Sequence, residues 1–250
     1  MRASAKLVLA LAAFAVVGAA SAQQPAAPPR PSPFLGPDEQ VDTLRLIPPP
    51  PAAGSPDEAA DLAAFRETRK LADSPRWAQA TADVELLSPA AFTSWSCAAD
   101  VKISAETTPA TAQLMVRALF DAGLASNPPK EHYKRPRPFT GLSARTCVTP
   151  ESLGANASYP SGHASVGWAW ALILAELKPE RANALLLRGR EFGDSRVVCG
   201  VHYPSDVEAG RLIGAAVVAR LHADEEFKAA MAEAKAELAK ATVKPEGCAS

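Results

Sequence analysis

Three short clusters of polar residues carry the groups that a phosphoryl-binding site needs. They supply lysine and arginine cations, a small-residue turn with free backbone N–H groups, two imidazoles and a carboxylate. In chain order the clusters are Lys130 with Arg137-Pro138, then Pro160-Ser161-Gly162-His163, then Ser195-Arg196 followed by His202 and Asp206. Such a set is sufficient to hold a phosphoryl group and to attack it.

The cations and the turn are the predicted binding groups. Arg137 and Arg196 suit a phosphate because a planar guanidinium donates two parallel hydrogen bonds and stays charged, whereas Lys130 adds a mobile point charge. Ser161 and Gly162 permit close backbone approach, so their N–H groups are expected to hold an anion.

The two histidines are predicted to have different roles. A neutral His202 attacks phosphorus if its other ring nitrogen donates to a carboxylate, and Asp206 stands four residues further on. A helix start at Ser205 would turn that carboxylate back toward the ring. His163 would donate a proton to the leaving alcohol and then activate water. Because this donor must begin protonated, activity is expected to favour mildly acidic conditions.

The N-terminal residues have the features of a secretion signal. Arg2 and Lys6 form a basic start, residues 7–17 are apolar, and Ala20-Ser21-Ala22 is a small-residue cleavage site. Residues 1–22 are therefore predicted to be a signal peptide. The alternative is an uncleaved membrane anchor, but the apolar stretch is short for a span.

Charge excludes two classes of partner. Losing Arg2 and Lys6 reduces the 26 basic residues to 24 against 27 acidic ones, so the mature net charge is about −3. Nucleic acid and anionic membrane both require a basic stripe. The mature sequence also lacks an apolar stretch long enough to cross a bilayer. Neither nucleic acid nor membrane is expected as a partner.

Four cysteines are scattered along the chain without a C-x-x-C pair, which argues against a zinc site. They are Cys97, Cys147, Cys199 and Cys248. Secretion permits disulfides, and three pairings remain open. Pairing Cys248 would tie down the C-terminal tail. Reduced buried thiols are the alternative for Cys97 and Cys199.

The remaining pattern predicts one all-α domain. Residues 23–56, rich in proline and alanine, are predicted to be an arm or linker that adds little to the core, and residues 57–250 a single helical-bundle domain. No convincing alternating strand pattern appears. Helices are predicted over Asp57 to Leu71, Ala110 to Leu124, His163 to Leu177, Pro179 to about Phe192, from a cap at Ser205 to Leu221, and Glu225 to Ala241. The three clusters fall at the ends of these helices, where N-termini favour anions.

Together, the clusters resemble the three-part signature of the type 2 phosphatidic acid phosphatase superfamily, which also includes vanadium haloperoxidases. The spacing is Lys130-x6-Arg137-Pro138, Pro160-Ser161-Gly162-His163 and Ser195-Arg196-x5-His202-x3-Asp206. The sequence segments next to the signature positions are most similar to those of secreted bacterial class A non-specific acid phosphatases. They are Ala157-Ser158-Tyr159, Glu191-Phe192-Gly193 and Cys199-Gly200-Val201-His202. The likeness runs from about Ser55 to Ala241.

The resemblance implies a periplasmic phosphatase that acts on small phosphate monoesters without a metal or other cofactor, and that assembles as a homo-oligomer such as a dimer. It implies His202 as the nucleophile that forms a phosphohistidine, Asp206 as its partner and His163 as the acid. Transfer of the phosphoryl group to alcohols is a further implied activity. Ala157 and Ala164 depart from the usual glycine and threonine, which puts loop geometry or substrate preference in doubt.

Two other functions fit part of the pattern. A vanadate-dependent haloperoxidase would use the same cations, but the short chain and the segments similar to class A acid phosphatases argue against this function. A phosphate-binding protein would keep the arginines and the turn, yet would have no use for His202 paired with Asp206. His132 fills no signature position and is predicted to be a surface residue. His222 is predicted to lie near the end of a helix, where a cation favours the helix dipole. The alcohol of the preferred ester is not identified.

Overall fold

The computed structural model describes residues 31–140, 144–153 and 156–248. These residues form α-helices and short 3-10 turns and contain no strand, which confirms the all-α prediction for this part of the chain. The predicted signal peptide, residues 1–22, lies outside the described residues. The α-helices are α1 (Thr43–Leu46), α2 (Pro56–Thr68), α3 (Pro75–Ala82), α4 (Thr93–Ala99), α5 (Pro109–Leu124), α6 (Asn127–Tyr133), α7 (Gly162–Leu177), α8 (Ala182–Val198), α9 (Pro204–Leu221) and α10 (Glu225–Leu238).

Several helices begin where the sequence offers a capping side chain. The hydroxyl of Ser55 accepts a hydrogen bond from the Glu58 N–H at the start of α2, and Asp224 accepts one from the Phe227 N–H at the start of α10. Proline follows directly at Pro56, where a missing N–H costs nothing. Local sequence therefore sets these starting points.

Helix α7 is the centre of the domain and packs against α5, α8 and α9. The side chains of Trp170, Ile173 and Leu174 are completely buried, as expected for its apolar sequence. The helix ends at Leu177 because Pro179 disfavours a helical conformation at the residue before it. Among the described residues, none of the helices combines the length and apolarity required to cross a membrane.

Glycines let α7 and α9 come into direct backbone contact. A Cβ added at Gly210 would lie 2.3 Å from the Ser161 carbonyl oxygen, and one at Gly214 would lie 2.4 Å from the Ser165 carbonyl oxygen. Both distances are far below van der Waals contact, so no side chain fits there. The two helices that carry the second and third clusters are thus held together as closely as their backbones allow.

Residues 31–55, which precede α2, run along the domain instead of standing apart from it. The backbone N–H groups of Phe34 and Leu35 donate to the buried Asp121 carboxylate of α5, at 2.9 and 3.0 Å. Phe34, Leu35 and Ile47 are buried in the main core, and the Tyr159 hydroxyl donates to the Pro48 carbonyl oxygen at 2.6 Å. Of the segment predicted to be an arm, these described residues contribute three apolar side chains to the core because their backbone is anchored.

Two predicted helix boundaries move. Helix α8 continues past Phe192 to Val198, so Arg196 lies in its last turn and not in a connection. Glycine ordinarily destabilises a helix. Gly193 is accommodated in α8 because it allows α9 to pack closely: a Cβ there would lie 3.0 Å from Val207 Cγ1. Helix α9 starts at Pro204, with Tyr203 and not Ser205 at the capping position.

The disulfide joins Cys97 at the end of α4 to Cys248. It ties down the tail after α10 and excludes the alternative of a free thiol at Cys97. Cys199 is a buried free thiol, and Cys147 is also free. Their backbones touch, because the Cys147 N–H donates to the Cys199 carbonyl oxygen at 3.1 Å.

Candidate active site

The His202 side chain is held between a carboxylate and a guanidinium. Its Nδ1 lies 3.3 Å from Asp206 Oδ2, and its Nε2 lies 3.1 Å from Arg137 Nη1. Arginine only donates hydrogen bonds, so Nε2 is the acceptor and Nδ1 carries the proton that Asp206 accepts. These partners fix the tautomer. The free electron pair of the ring therefore lies on Nε2, on the side of the predicted phosphate ligands.

Asp206 is buried and fully hydrogen-bonded at the start of α9. Its Oδ2 also accepts from the Ser158 hydroxyl at 2.5 Å and from the Tyr203 N–H at 2.8 Å, while Oδ1 accepts from Arg135 at 2.6 Å. Burial alone would raise the pKa of this carboxyl, but His202 and Arg135 outweigh it and lower the pKa to about 2. Asp206 is thus a permanent anion behind the imidazole.

His163 lies in the first turn of α7, on the other side of the cluster. Its Nε2 is 3.1 Å from the Val84 carbonyl oxygen, and its ring stacks on Phe192 at a centroid distance of 6.3 Å. Burial, followed by the charge of Arg196, holds the pKa of His163 well below its ordinary value. The Val84 carbonyl opposes this shift because it accepts a hydrogen bond from the ring N–H.

The turn before α7 combines a cap with open backbone. The Ser161 hydroxyl accepts from the Ala164 N–H at 3.3 Å, and the Ser161 N–H donates to the Asp206 carbonyl oxygen at 2.9 Å. Ser161 is therefore already used to start α7 and to join it to α9. Gly162 is needed for space, since a Cβ there would lie 3.1 Å from Ser126 Oγ.

Three buried cations converge here with too few anions to match them. Lys130 Nζ donates to the Ala157 carbonyl oxygen at 2.6 Å, and Arg137 Nε donates to the Asn156 carbonyl oxygen at 2.9 Å. Burial, with the repulsion of Arg137, lowers the pKa of Lys130 to about 7. Burial, with the repulsion of Arg196, lowers the pKa of Arg137 to about 10.

The excess of positive charge is most costly for Arg196, because only 1% of its surface is accessible to solvent. Its Nε and Nη1 have no hydrogen-bond partner among the described residues. Burial also lowers its pKa. An unpaired buried guanidinium is costly, so its donors indicate a site for an anion.

A cavity of about 640 Å³ opens beside this site. Lys130 and Arg137 belong to its wall, together with Lys134, Phe139 and Asn156. His202 and Arg196 are not part of the wall and are more deeply buried, whereas His163, also outside the wall, is partly exposed. An ester could therefore enter past Lys130 and Arg137, with its alcohol left in the cavity.

The eight predicted site residues form one neighbourhood, built from the segments around α6, α7, α8 and α9. Ser195, also part of the third cluster, instead donates to Asp83 at 2.5 Å and belongs to a buried network with Arg188. His132 is exposed, as predicted, and His222 is exposed at the end of α9. Within residues 31–140, 144–153 and 156–248, no group of three or more His, Cys, Asp or Glu side chains is arranged to hold a metal ion.

Sequence reasoning missed the residues that surround Asp206. Arg135 and Ser158 both bind its carboxylate, and Asp61 of α2 binds Arg135 in turn at 2.8 Å. Arg135 stands two residues before Arg137, in a basic stretch that could have drawn attention to it. Asp61 carries no local signal, because an acidic residue on a helix ordinarily faces solvent.

Comparisons with known proteins identify the family of this chain. A family model described as the PAP2 superfamily matches residues 111–228. The chain is 40% identical over 210 residues to a non-specific acid phosphatase of Providencia stuartii, which covers 83% of this chain and 85% of the relative. It is 42% identical over 206 residues to an acid phosphatase of Zymomonas mobilis, covering 80% of this chain and 76% of the relative. A non-specific acid phosphatase of Salmonella typhimurium is 39% identical, over 82% of this chain and 84% of the relative. The chain therefore belongs to the class A non-specific acid phosphatases of the PAP2 superfamily.

Proposed function

We propose that the protein hydrolyses phosphate monoesters through a covalent phosphohistidine on His202. The observation that carries this proposal is the buried, unpaired guanidinium of Arg196, which lies near Arg137, the residue that donates to Nε2 of His202. The phosphoryl oxygens would accept from these cations, from the Ser161 hydroxyl and from the Gly162 N–H. The names of the relatives support the same reaction.

In the first step, the electron pair of His202 Nε2 forms a bond to phosphorus while the bond from phosphorus to the alcohol oxygen breaks. The alcohol takes its proton from His163. Asp206 keeps the Nδ1 proton in place and stabilises the positive charge on the ring. In the second step water attacks phosphorus, His163 accepts the proton of that water, and the P–N bond breaks to release phosphate.

The lysine and arginine charges supply the electrostatic stabilisation that a metal provides in other phosphatases, so we propose that no metal takes part. The same charges lower the pKa of His163 in the empty site. A bound phosphoryl dianion opposes them, which makes protonation of His163 easier once substrate is present. Substrate binding is therefore coupled to proton uptake, and mildly acidic conditions favour activity.

We also propose that residues 1–22 direct the chain to the periplasm. A disulfide such as Cys97–Cys248 is ordinarily formed in an oxidising compartment, which supports this location. Transfer of the phosphoryl group from His202 to an added alcohol, in place of water, is a further proposal. It is measured as the ratio of alcohol phosphate to free phosphate produced.

The decisive experiment measures phosphate release from a panel of monoesters, in chelator and across pH. We compare wild type with His202→Ala and with His132→Ala, an exposed histidine that serves as the matched control. His202→Ala is expected to lose turnover, and His132→Ala to keep it. Full turnover by His202→Ala would contradict the mechanism.

The intermediate has its own test. A brief reaction with an activated ester, stopped in alkali where a P–N bond survives, is expected to leave a phosphoryl group on the peptide that contains His202. Tight phosphate binding with no hydrolysis of any ester at any pH would instead identify a phosphate-binding protein.

A further inference from the structure

A second buried carboxylate lies behind Asp206 and is joined to it through one arginine. Arg135 Nη1 donates to Asp206 Oδ1 at 2.6 Å, and Arg135 Nη2 donates to Asp61 Oδ2 at 2.8 Å. The side chains of Asp61 and Asp206 are 4% and 0% exposed, and that of Arg135 is 10% exposed. The guanidinium also lies over the Tyr203 ring, 4.2 Å from its centroid.

Ser205 connects the second carboxylate to the start of α9. Its N–H donates to Asp61 Oδ1 at 3.0 Å, its hydroxyl donates to Asp61 Oδ2, and its oxygen accepts from Arg135 Nη1 at 2.8 Å. Asp61 belongs to α2, far from the signature in sequence. Every oxygen of the two carboxylates is therefore engaged, and the turn that carries Asp206 is fixed on both sides.

The charges of these groups suit the chemistry of His202. Asp61, Arg135 and Asp206 together carry a net charge of −1, so a single negative charge remains available to a cationic imidazole. If Arg135 faced Asp206 alone, the pair would be neutral and its field at His202 would be weak. A buried ion pair adds little to stability on average, so this arrangement is better explained by electrostatics at the site than by folding.

We propose that Arg135 and Asp61 are positioning residues for the nucleophile. Arg135 binds Asp206 Oδ1 and keeps that carboxylate ionised, which leaves Oδ2 for the Nδ1 proton of His202, and Asp61 balances the charge of Arg135. The proposal rests on the proposed role of His202 as nucleophile. Neither residue is a predicted phosphate ligand: Arg135 binds Asp206 directly and Asp61 binds Arg135, so both act through Asp206.

The electrostatic surroundings of His202 come from every helix packed on it. The titratable and charged groups around the His202–Asp206 pair are Asp61 of α2, Lys130 of α6, Arg135 and Arg137 of the following loop, Tyr159 before α7, His163 in its first turn and Tyr203 before α9. Arg196 of α8 lies next to two of them, Arg137 and His163. Of these, only Arg135 and Asp61 can be changed in charge without altering a predicted phosphate ligand, acid or nucleophile.

The test changes this charge in both directions. Asp61→Asn gives the group a net charge of 0, Arg135→Gln gives −2, and the double variant restores −1. Nitrogen NMR of the His202 ring, in protein without phosphate, reports the pH at which the ring gains its proton. That pH is expected to be lower than wild type in Asp61→Asn, higher in Arg135→Gln, and close to wild type in the double variant.

Turnover gives a second readout. Both single variants are expected to lose about 10- to 100-fold in kcat, with KM nearly unchanged, as is typical when a partner of a functional group is removed. Asp73→Asn and Arg145→Gln are the matched controls, because they make the same changes in an exposed ion pair. They are expected to leave kcat unchanged.

Equal midpoints of His202 protonation in both folded single variants would overturn the proposal. If a single variant does not fold, the double variant decides, since it has the same net charge as wild type around Asp206. In the double variant, a kcat below that of wild type together with an unchanged midpoint of His202 protonation supports the proposal. A kcat equal to that of wild type in the double variant overturns it. An inactive wild type, or an active His202→Ala, would instead mean that the proposed function itself has failed.

Discussion

Replacing Lys130 with methionine is expected to stabilise the protein in the absence of anions while removing most of its activity. Lys130 is 7% exposed, and its ammonium donates to one carbonyl oxygen, that of Ala157. Methionine has a similar length and no charge, so it fills the space without the cost of burying a cation. The active site is thus predicted to be a place where stability is lost in favour of function.

The size of the effect follows from the pKa of Lys130, which falls from 10.5 to about 7 in the folded protein. A difference of one in pKa corresponds to about 1.4 kcal/mol, so keeping Lys130 charged costs about 5 kcal/mol below pH 7. Because the folded pKa is the lower one, the cost is absent above pH 10.5 and grows as the pH falls toward 7. Losing the hydrogen bond to Ala157 costs about 1–3 kcal/mol, so the net gain is at least about 2 kcal/mol.

Thermal unfolding in phosphate-free buffer provides the assay. At pH 6 the Tm of Lys130→Met is expected to rise by about 4–8 °C, and the gain should shrink as the pH approaches 10. Added phosphate should stabilise wild type but not the variant, and kcat/KM should fall about 10²- to 10³-fold. Lys240→Met, at an exposed position, is the control for the chemical change itself. A lower Tm at pH 6, or a gain that does not depend on pH, would refute the reasoning.

Three further predictions concern the histidines and the contact between α7 and α9. His163→Ala should reduce kcat/KM by about 10²- to 10⁴-fold for alkyl esters and less for activated aryl esters, and equal losses would argue against His163 as the acid. Burial and Arg137 lower the pKa of His202 from 6.5 to about 3, so the phosphate-free protein should lose about 2 kcal/mol of stability between pH 7 and pH 5, measured by urea unfolding. His202→Gln should lack this part of the pH dependence, and an unchanged slope would contradict it. Gly210→Ala should force α9 away from the Ser161 carbonyl and reduce kcat about 100-fold, whereas Gly123→Ala, whose Cβ would lie 3.9 Å from the nearest atom, should leave kcat unchanged.

The helices and the catalytic clusters could be predicted because their signals are local. The apolar run of α7 ends at Lys178-Pro179, and His202 stands four residues from Asp206, so one helix start brings the two side chains together. The end of α8 could not be predicted, since Gly193 is unfavourable in an isolated helix and acceptable only against Val207. Tertiary packing decided that boundary.

The surroundings of Asp206 were beyond local reasoning for a different reason. Arg135 and Asp61 are separated by 74 positions, and neither has a neighbour that predicts the other. A charged residue on a helix such as α2 is normally solvated, so its burial becomes evident only once α9 is in place. For the same reason, Phe34 and Leu35 gave little indication of core, because their anchor is Asp121 in α5.

The bond between Cys97 and Cys248 makes a covalent ring of most of the domain. It links residues 151 positions apart, and all three clusters lie inside the ring while Asp61 lies outside it. Closing a loop of this length restricts the unfolded chain by about 5 kcal/mol. A single backbone cut anywhere in the ring would leave its two pieces joined, so the phosphate ligands and both histidines would stay on one molecule. A protease could therefore nick this domain without separating its catalytic residues.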